Sequence, residues 1–308
     1  MEFTEVQQKA LARFDELAVQ LGSQNKACAM IGIKAAVLSP LKKGTYQGDV
    51  NAQFAKIIHY FETKDAAADL PSNLMISEYV PTSISSNVFD VIRNCQLKGG
   101  LAVACGDAGI GKTRAAKEFQ RMYPNDAIYM AVNPCLTTLR SFLRVLSSKL
   151  HVLERTNDEM WLGIVNNLRD GMVIIVDEAQ HLPIKTLEAL RSFTDYFADH
   201  GQTLGIAFVG NNETVTVTGG KKRAEFAQIT NRTRQRKVYT TRHIRREDIQ
   251  LLFPDLKDEE MQIDFLLKVA RTPQAIRGAV NLYSNAVDND NTSYEGLVAM
   301  AKHMEMVI

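Results

Sequence analysis

Cysteine is scarce in this sequence: four in 308 residues, Cys28, Cys95, Cys105 and Cys135, with no CxxC pair among them. That spacing excludes a disulfide framework and a zinc-binding cysteine cluster, and it suits a reducing compartment. No apolar run approaches the roughly 18 residues of a membrane helix. The opening MEFTEVQQKALARFDEL lacks the basic end and apolar core of a secretion signal, so a cytoplasmic location is expected. Neither sign of charge is in excess: 36 basic and 35 acidic residues leave a net charge of +1, which names no partner. Internal repeats are absent as well. What is present, 45% apolar and 23% charged residues, is the composition of a globular chain long enough for two domains.

The texture changes along the chain. Residues 1–64 carry apolar positions at helical spacing, such as Leu11, Phe14, Leu17 and Ala18, then Phe54, Ile57, Ile58 and Phe61. A small all-α domain is predicted there. Residues 65–96, with Pro71 and Pro81 among small side chains, read as a linker and lead-in. Over 97–246, short apolar runs alternate with helical patterns: LAVAC (101–105), AIYMAV (127–132), MVIIV (172–176), LGIAFV (204–209) and KVYTT (237–241). Near-continuous apolar strands separated by helices predict a five-stranded parallel sheet buried on both faces. Residues 247–308 read as helices only, a C-terminal helical bundle.

Three stretches of the α/β segment carry chemistry. CGDAGIGKT (105–113) follows a strand and precedes the helix-forming RAAKEFQRM, the context of a phosphate-binding loop. The glycines let backbone N–H groups face phosphate oxygens, and the helix N-terminus adds its dipole. Nucleotide contacts are expected from Gly106, Asp107, Ala108, Gly109, Ile110, Gly111, Lys112, Thr113 and Arg114. Lys112 would reach the terminal phosphates, and the Thr113 hydroxyl would ligate Mg²⁺. Two acids end the third apolar run: Asp177 suits Mg²⁺, and Glu178 suits activation of an attacking water. The fourth run ends in Gly210-Asn211-Asn212. With these motifs in this order, its strand is expected between the other two, placing Asn211 beside the terminal phosphate or the water.

These elements, followed by a helical segment, resemble the AAA+ ATPases. The resemblance implies an AAA+ P-loop domain with a C-terminal lid, ATP and Mg²⁺ as cofactors, and ATP hydrolysis. It makes Arg277, in Thr272-Pro273-Gln274-Ala275-Ile276-Arg277, the lid arginine that touches the γ-phosphate. It also implies an arginine finger supplied by a neighbouring subunit. Arg232, Arg234 and Arg236 stand in the corresponding stretch, and Arg232 matches the family position best. Within the AAA+ ATPases, the segment with Thr218-Gly219-Gly220 and Glu225-Phe226-Ala227, VIIVDEAQHL followed by TLEALRSF, and an N-terminal helix-turn-helix outline containing KGTYQGD are similar to the target-DNA-capture family of the phage Mu transposition protein B. The similarity runs from about residue 21 to residue 276. It implies a protein that binds duplex DNA largely without sequence preference, oligomerises on it as a helical filament with ATP, delivers it to a DDE transposase in a bacterial host cell, and disassembles on hydrolysis. Two other readings are a helicase-loader ATPase and a helix-turn-helix regulator that uses ATP as a switch.

Between residues 221 and 246 there are ten basic residues and one acid, Glu225. So one-sided a block in a nearly neutral chain predicts phosphate-backbone binding, with Lys221, Lys222 and Arg223 as DNA contacts. In the N-terminal domain, a helix at 23–31, a turn at Gly32 and a second helix from about Lys34 give the helix-turn-helix outline. Pro40 is expected to stop that second helix, leaving it at 35–39. An accessory DNA contact, or a helical protein-contact module, is the expectation for this domain.

Overall fold

The computed structural model describes residues 3–69 (side chains to 65), 79–136, 138–153, 155–211 and 233–307. Its chain divides into two units, Met1–Leu74 and Met75–Ile308.

The first unit is built from α1 (Glu5–Gln20), α2 (Gln24–Ile31), α3 (Ala35–Lys42) and α4 (Val50–Asp69). Thr4 and Gln7 close a reciprocal capping box on α1, and the Ser23 hydroxyl caps α2. Gly32 ends α2 at φ 78°, a left-handed conformation that favours glycine. Phe14, Ala27, Leu38, Leu41, Phe54 and Ile57 form the core. The helix-turn-helix outline is therefore present, with one correction. α3 runs through Pro40 to Lys42 instead of stopping at residue 39. Proline removes one N–H, but Leu38 and Leu41 bury their side chains on either side of it. The carbonyls of Ser39 and Pro40 still accept from Lys43 and Thr45. α4 also runs past the boundary expected at residue 64.

The second unit opens with α5 (Ser83–Lys98), a regular helix where the sequence suggested a poorly periodic lead-in. Thr82 caps it, and Ile84, Val88, Val91, Ile92 and Cys95 are buried along it. β1 (Gly100–Gly106), α6 (Lys112–Met122), β2 (Ala127–Ala131), α7 (Leu139–Lys149), α8 (Asn157–Asn167), β3 (Met172–Asp177), α9 (Ile184–Asp199), β4 (Leu204–Gly210) and β5 (Thr233–Tyr239) follow. The described strands form one parallel sheet in the order β2-β3-β4-β1-β5, with β4 between β1 and β3 as expected. β3 and β4 are buried along their whole length, which explains their unbroken apolar runs. β5 begins four residues before the expected KVYTT. It lies at one end of the strand order, and its residues 233–238 are polar or part-exposed, so hydrophobicity does not mark its start.

α10 (Arg246–Leu252), α11 (Glu260–Ala270), α12 (Ala275–Asp288) and α13 (Tyr294–His303) form the expected C-terminal bundle. Asp248 joins its beginning to α5. The buried carboxylate accepts from the Ser83 N–H (2.6 Å) and hydroxyl (2.7 Å) and from the Arg245 N–H (2.9 Å). The start of the lead-in helix and the start of the lid are thereby fixed to each other. No helix among the described residues is long and apolar enough to cross a membrane.

Candidate active site

The phosphate loop is shaped by close approaches that exclude side chains. At Gly106, φ is 155° and a Cβ would lie 2.0 Å from the Tyr239 carbonyl oxygen, so the paired end of β5 comes so close that only glycine fits. The same carbonyl accepts from the Asp107 N–H (3.0 Å), and the Asp107 carboxylate accepts from the Thr241 N–H (2.8 Å). These bonds fix the loop to the end of β5. Gly111, at φ 101°, precedes α6 without a side-chain cap, so the first N–H groups of that helix face the loop. The Lys112 ammonium donates to the carbonyls of Gly106 (3.0 Å) and Asp107 (2.6 Å). Burial lowers its pKa, while Glu178 and Asp177 raise it in opposition. A phosphate group in the loop would add further negative charge and favour the ammonium form.

Two carboxylates stand at the end of β3, held in different ways. Asp177 is 2% exposed, and its oxygens accept from the Tyr129 hydroxyl (2.8 Å) and the Glu178 N–H (3.0 Å). Tyr129 belongs to the neighbouring β2. Its own pKa is raised by burial and by the charges of Asp177 and Glu178, so it stays a hydrogen-bond donor. Glu178 adopts φ 54°, ψ 39°. A left-handed conformation in a residue with a Cβ costs on the order of 1–3 kcal/mol, and it turns this side chain out of the strand direction. Gln180 donates to Glu178 Oε2 (2.5 Å) and accepts from the Asn211 N–H (3.3 Å). The ends of β3 and β4 are therefore bridged by one side chain.

The lid completes the enclosure. The Arg277 N–H donates to the Gly109 carbonyl (3.2 Å), and a Cβ on Gly109 would lie 3.2–3.3 Å from the Cβ atoms of Arg277 and Ala275. Ala275 itself takes φ 56° where α12 begins against the loop. A cavity of about 400 Å³ results, lined by Gly109, Gly111, Lys112, Thr113, Arg114, Asp177, Glu178, Asn211 and Arg277, among others. Val80, Leu252, Ile276 and Val280 form an apolar wall of the same cavity. Such a space, lined by both polar and apolar side chains, suits a triphosphate with an attached base. Thr113 and Asp177 share this lining, and one hydroxyl with one carboxylate fits Mg²⁺, which takes its remaining ligands from water and phosphate. Among the described residues no group of three or more His, Cys, Asp or Glu is arranged to hold a metal.

Lys112, Thr113, Asp177, Glu178, Asn211 and Arg277 all line this one cavity. Arg232, Asn212, Lys221, Lys222 and Arg223 lie outside the described residues. Arg234 and Arg236 lie on β5. The Arg234 side chain sits against Gly100, whose Cβ position is 3.4 Å from its Nε, at the start of β1. Six residue steps along β1, from Gly100 to Gly106, about 20 Å at ~3.3 Å each, separate that end from the phosphate loop. Sequence reasoning missed Tyr129, Gln180 and the apolar wall. A tyrosine in an apolar run reads as core, and a glutamine after DEA reads as loop. The apolar wall joins Val80 to Leu252, Ile276 and Val280, far along the chain, which no local pattern connects.

An AAA domain family model matches residues 96–217. The ATP-dependent target DNA activator B of Escherichia phage Mu is 25% identical over 252 residues, covering 80% of this chain and 77% of that protein. The Mu-like prophage FluMu DNA transposition protein B of Haemophilus influenzae is 28% identical over 207 residues, covering 65% and 69%. Among solved structures, Cdc6p from Pyrobaculum aerophilum matches with a TM-score of 0.53 at 16% identity, over 75% of this chain and 70% of that one. The last likeness concerns the fold alone.

Proposed function

From a chain that is an AAA-type P-loop ATPase, homologous to the Mu-type transposition B proteins, we infer an ATP-timed DNA-binding protein that prepares target DNA for transposition. The observation that carries the catalytic part is the single cavity shared by Lys112, Thr113, Asp177, Glu178, Asn211 and Arg277. Lys112 and the loop N–H groups hold the phosphates, Arg277 meets the terminal one from the lid, and Glu178 orients a water and takes its proton. Asn211 fixes that water or the phosphate it attacks. Thr113 and Asp177 would hold Mg²⁺, which supplies charge neutralisation at the phosphates when bound.

The names of the relatives, target DNA activator and transposition protein, support DNA as the partner. The basic block at 221–246 supports backbone binding, with Lys221, Lys222 and Arg223 as its leading contacts. Arg234 lies too far from its own phosphate loop to serve it, which favours action on a neighbouring subunit. Arg232 and Arg236 remain the other candidates for that role. ATP shared between subunits would then stabilise a helical oligomer on duplex DNA, with many weak contacts summed along it. Hydrolysis would release the subunits, and a DDE transposase would receive the DNA. The N-terminal helical unit would add an accessory contact.

The Glu178→Gln variant tests this reading. It is expected to bind ATP and DNA as the wild type does, to hydrolyse ATP about 10²–10⁴-fold more slowly, and to remain on DNA after ATP is diluted. Release at the wild-type rate would contradict the coupling of hydrolysis to disassembly.

A further inference from the structure

We propose that Gln180 is a positioning residue for hydrolysis: its side-chain amide holds the Glu178 carboxylate in register with the end of β4. This rests on the reading of Glu178 as the group that activates water.

Gln180 lies in the short 3-10 turn Ala179–His181 that follows β3. Its Nε2 donates to Glu178 Oε2 at 2.5 Å, and its Oε1 accepts from the Asn211 backbone N–H at 3.3 Å. The partners themselves determine which way the amide points. An ionised carboxylate can only accept and a backbone N–H can only donate, so the flipped amide would set oxygen against oxygen and N–H against N–H. The side chain is therefore matched at both ends.

Two consequences follow from this bridge. With one lone pair of Oε2 engaged by Gln180, Oε1 keeps both of its own for a water, so the bridge biases which oxygen acts. Asn211 lines the cavity where the terminal phosphate would lie, and its N–H is bonded to the same amide that holds Glu178. A movement of the β4 end on meeting phosphate is thereby passed to the base. The amide suits this task because it is neutral. A carboxylate at position 180 would repel Glu178, and an alkyl group would release it.

The test compares Gln180→Ala and Gln180→Glu with the wild type, in the full chain, by steady-state ATPase rate and by binding of a fluorescent ATP analogue. Glu178→Gln and the double variant Glu178→Gln/Gln180→Ala are measured alongside. Gln180→Ala is expected to lower kcat about tenfold, and Gln180→Glu about 100-fold, the scale on which misplacement of a reacting group acts. Analogue affinity should stay within about twofold, since no phosphate contact is lost. In the Glu178→Gln background, Gln180→Ala should have no further effect, because the group it positions is gone. A wild-type kcat in both Gln180 variants, or an equal loss in both backgrounds, would overturn the proposal while leaving Glu178 its role. Wild-type turnover by Glu178→Gln would instead remove the role of Glu178 and the proposal with it.

Discussion

Asp177 shows at the residue scale how the protein's own groups build the site. The carboxylate is buried, and each oxygen accepts one hydrogen bond, from Tyr129 and from Glu178 N–H. Its acid–acid motif at the end of an apolar strand is plain in the sequence, because only a functional or capping role explains two carboxylates there. The Tyr129 contact is not legible, since parallel pairing of β2 with β3 brings together residues 48 positions apart. Replacing Tyr129 by Phe removes one donor from a buried charge, a change worth about 1.5–3 kcal/mol for hydrogen bonds to charged groups. The urea midpoint of Tyr129→Phe should fall accordingly. An unchanged midpoint would show that Asp177 does not depend on this donor.

Elements were legible in proportion to their burial. β1, β3 and β4 are buried almost throughout and stand out as apolar runs, whereas β5 carries arginines and lysine and begins four residues before its apolar end becomes visible. The C-terminal region reads as helical because α11 and α12 bury regular apolar stripes. α5 was obscured by the serines in its first turn, although its buried face is regular. Its packing shows why residue 205 is glycine. A Cβ there would lie 2.6 Å from the Cys95 carbonyl oxygen and 2.8 Å from its carbon, so the α5 backbone rests on β4. Gly205→Ala must push the helix from the sheet, and overpacking of this kind costs roughly 1–3 kcal/mol. A lowered unfolding midpoint is the expected result. Because Ser85 of α5 lines the nucleotide cavity and Ser83 is bonded to Asp248, ATP affinity should weaken in the same variant.

On the scale of the whole molecule, the few cysteines report on the integrity of the fold. Cys28, Cys95 and Cys105 are buried and Cys135 is exposed. Burial pushes the Cys95 thiol up to about 12 from an ordinary 9.0, and raises Cys105 and Cys28 as well; Tyr239 is likewise pushed up to about 12. Below pH 9 these thiols are protonated in folded and unfolded chains alike, and stability is unaffected by them. Above it the unfolded chain loses protons that the folded chain keeps, so stability falls as pH rises from about 9 toward 12. A chromogenic disulfide at pH 8 should therefore titrate one thiol in the native protein and four after denaturation. More than one native thiol would contradict this packing.

We propose that bound ATP sets how long the protein stays assembled on DNA. The phosphate loop, both acids, Asn211 and Arg277 support the nucleotide half of this proposal in one cavity. The basic block at 221–246 and the names of the relatives support its DNA half. The direct measurement is sedimentation of the full chain with and without duplex DNA, in ATP, in ADP and without nucleotide. Large DNA-bound assemblies with ATP, dispersing with ADP, are predicted, and by linkage DNA should raise ATP affinity by the same factor. DNA binding of equal strength in all three nucleotide states would contradict the account.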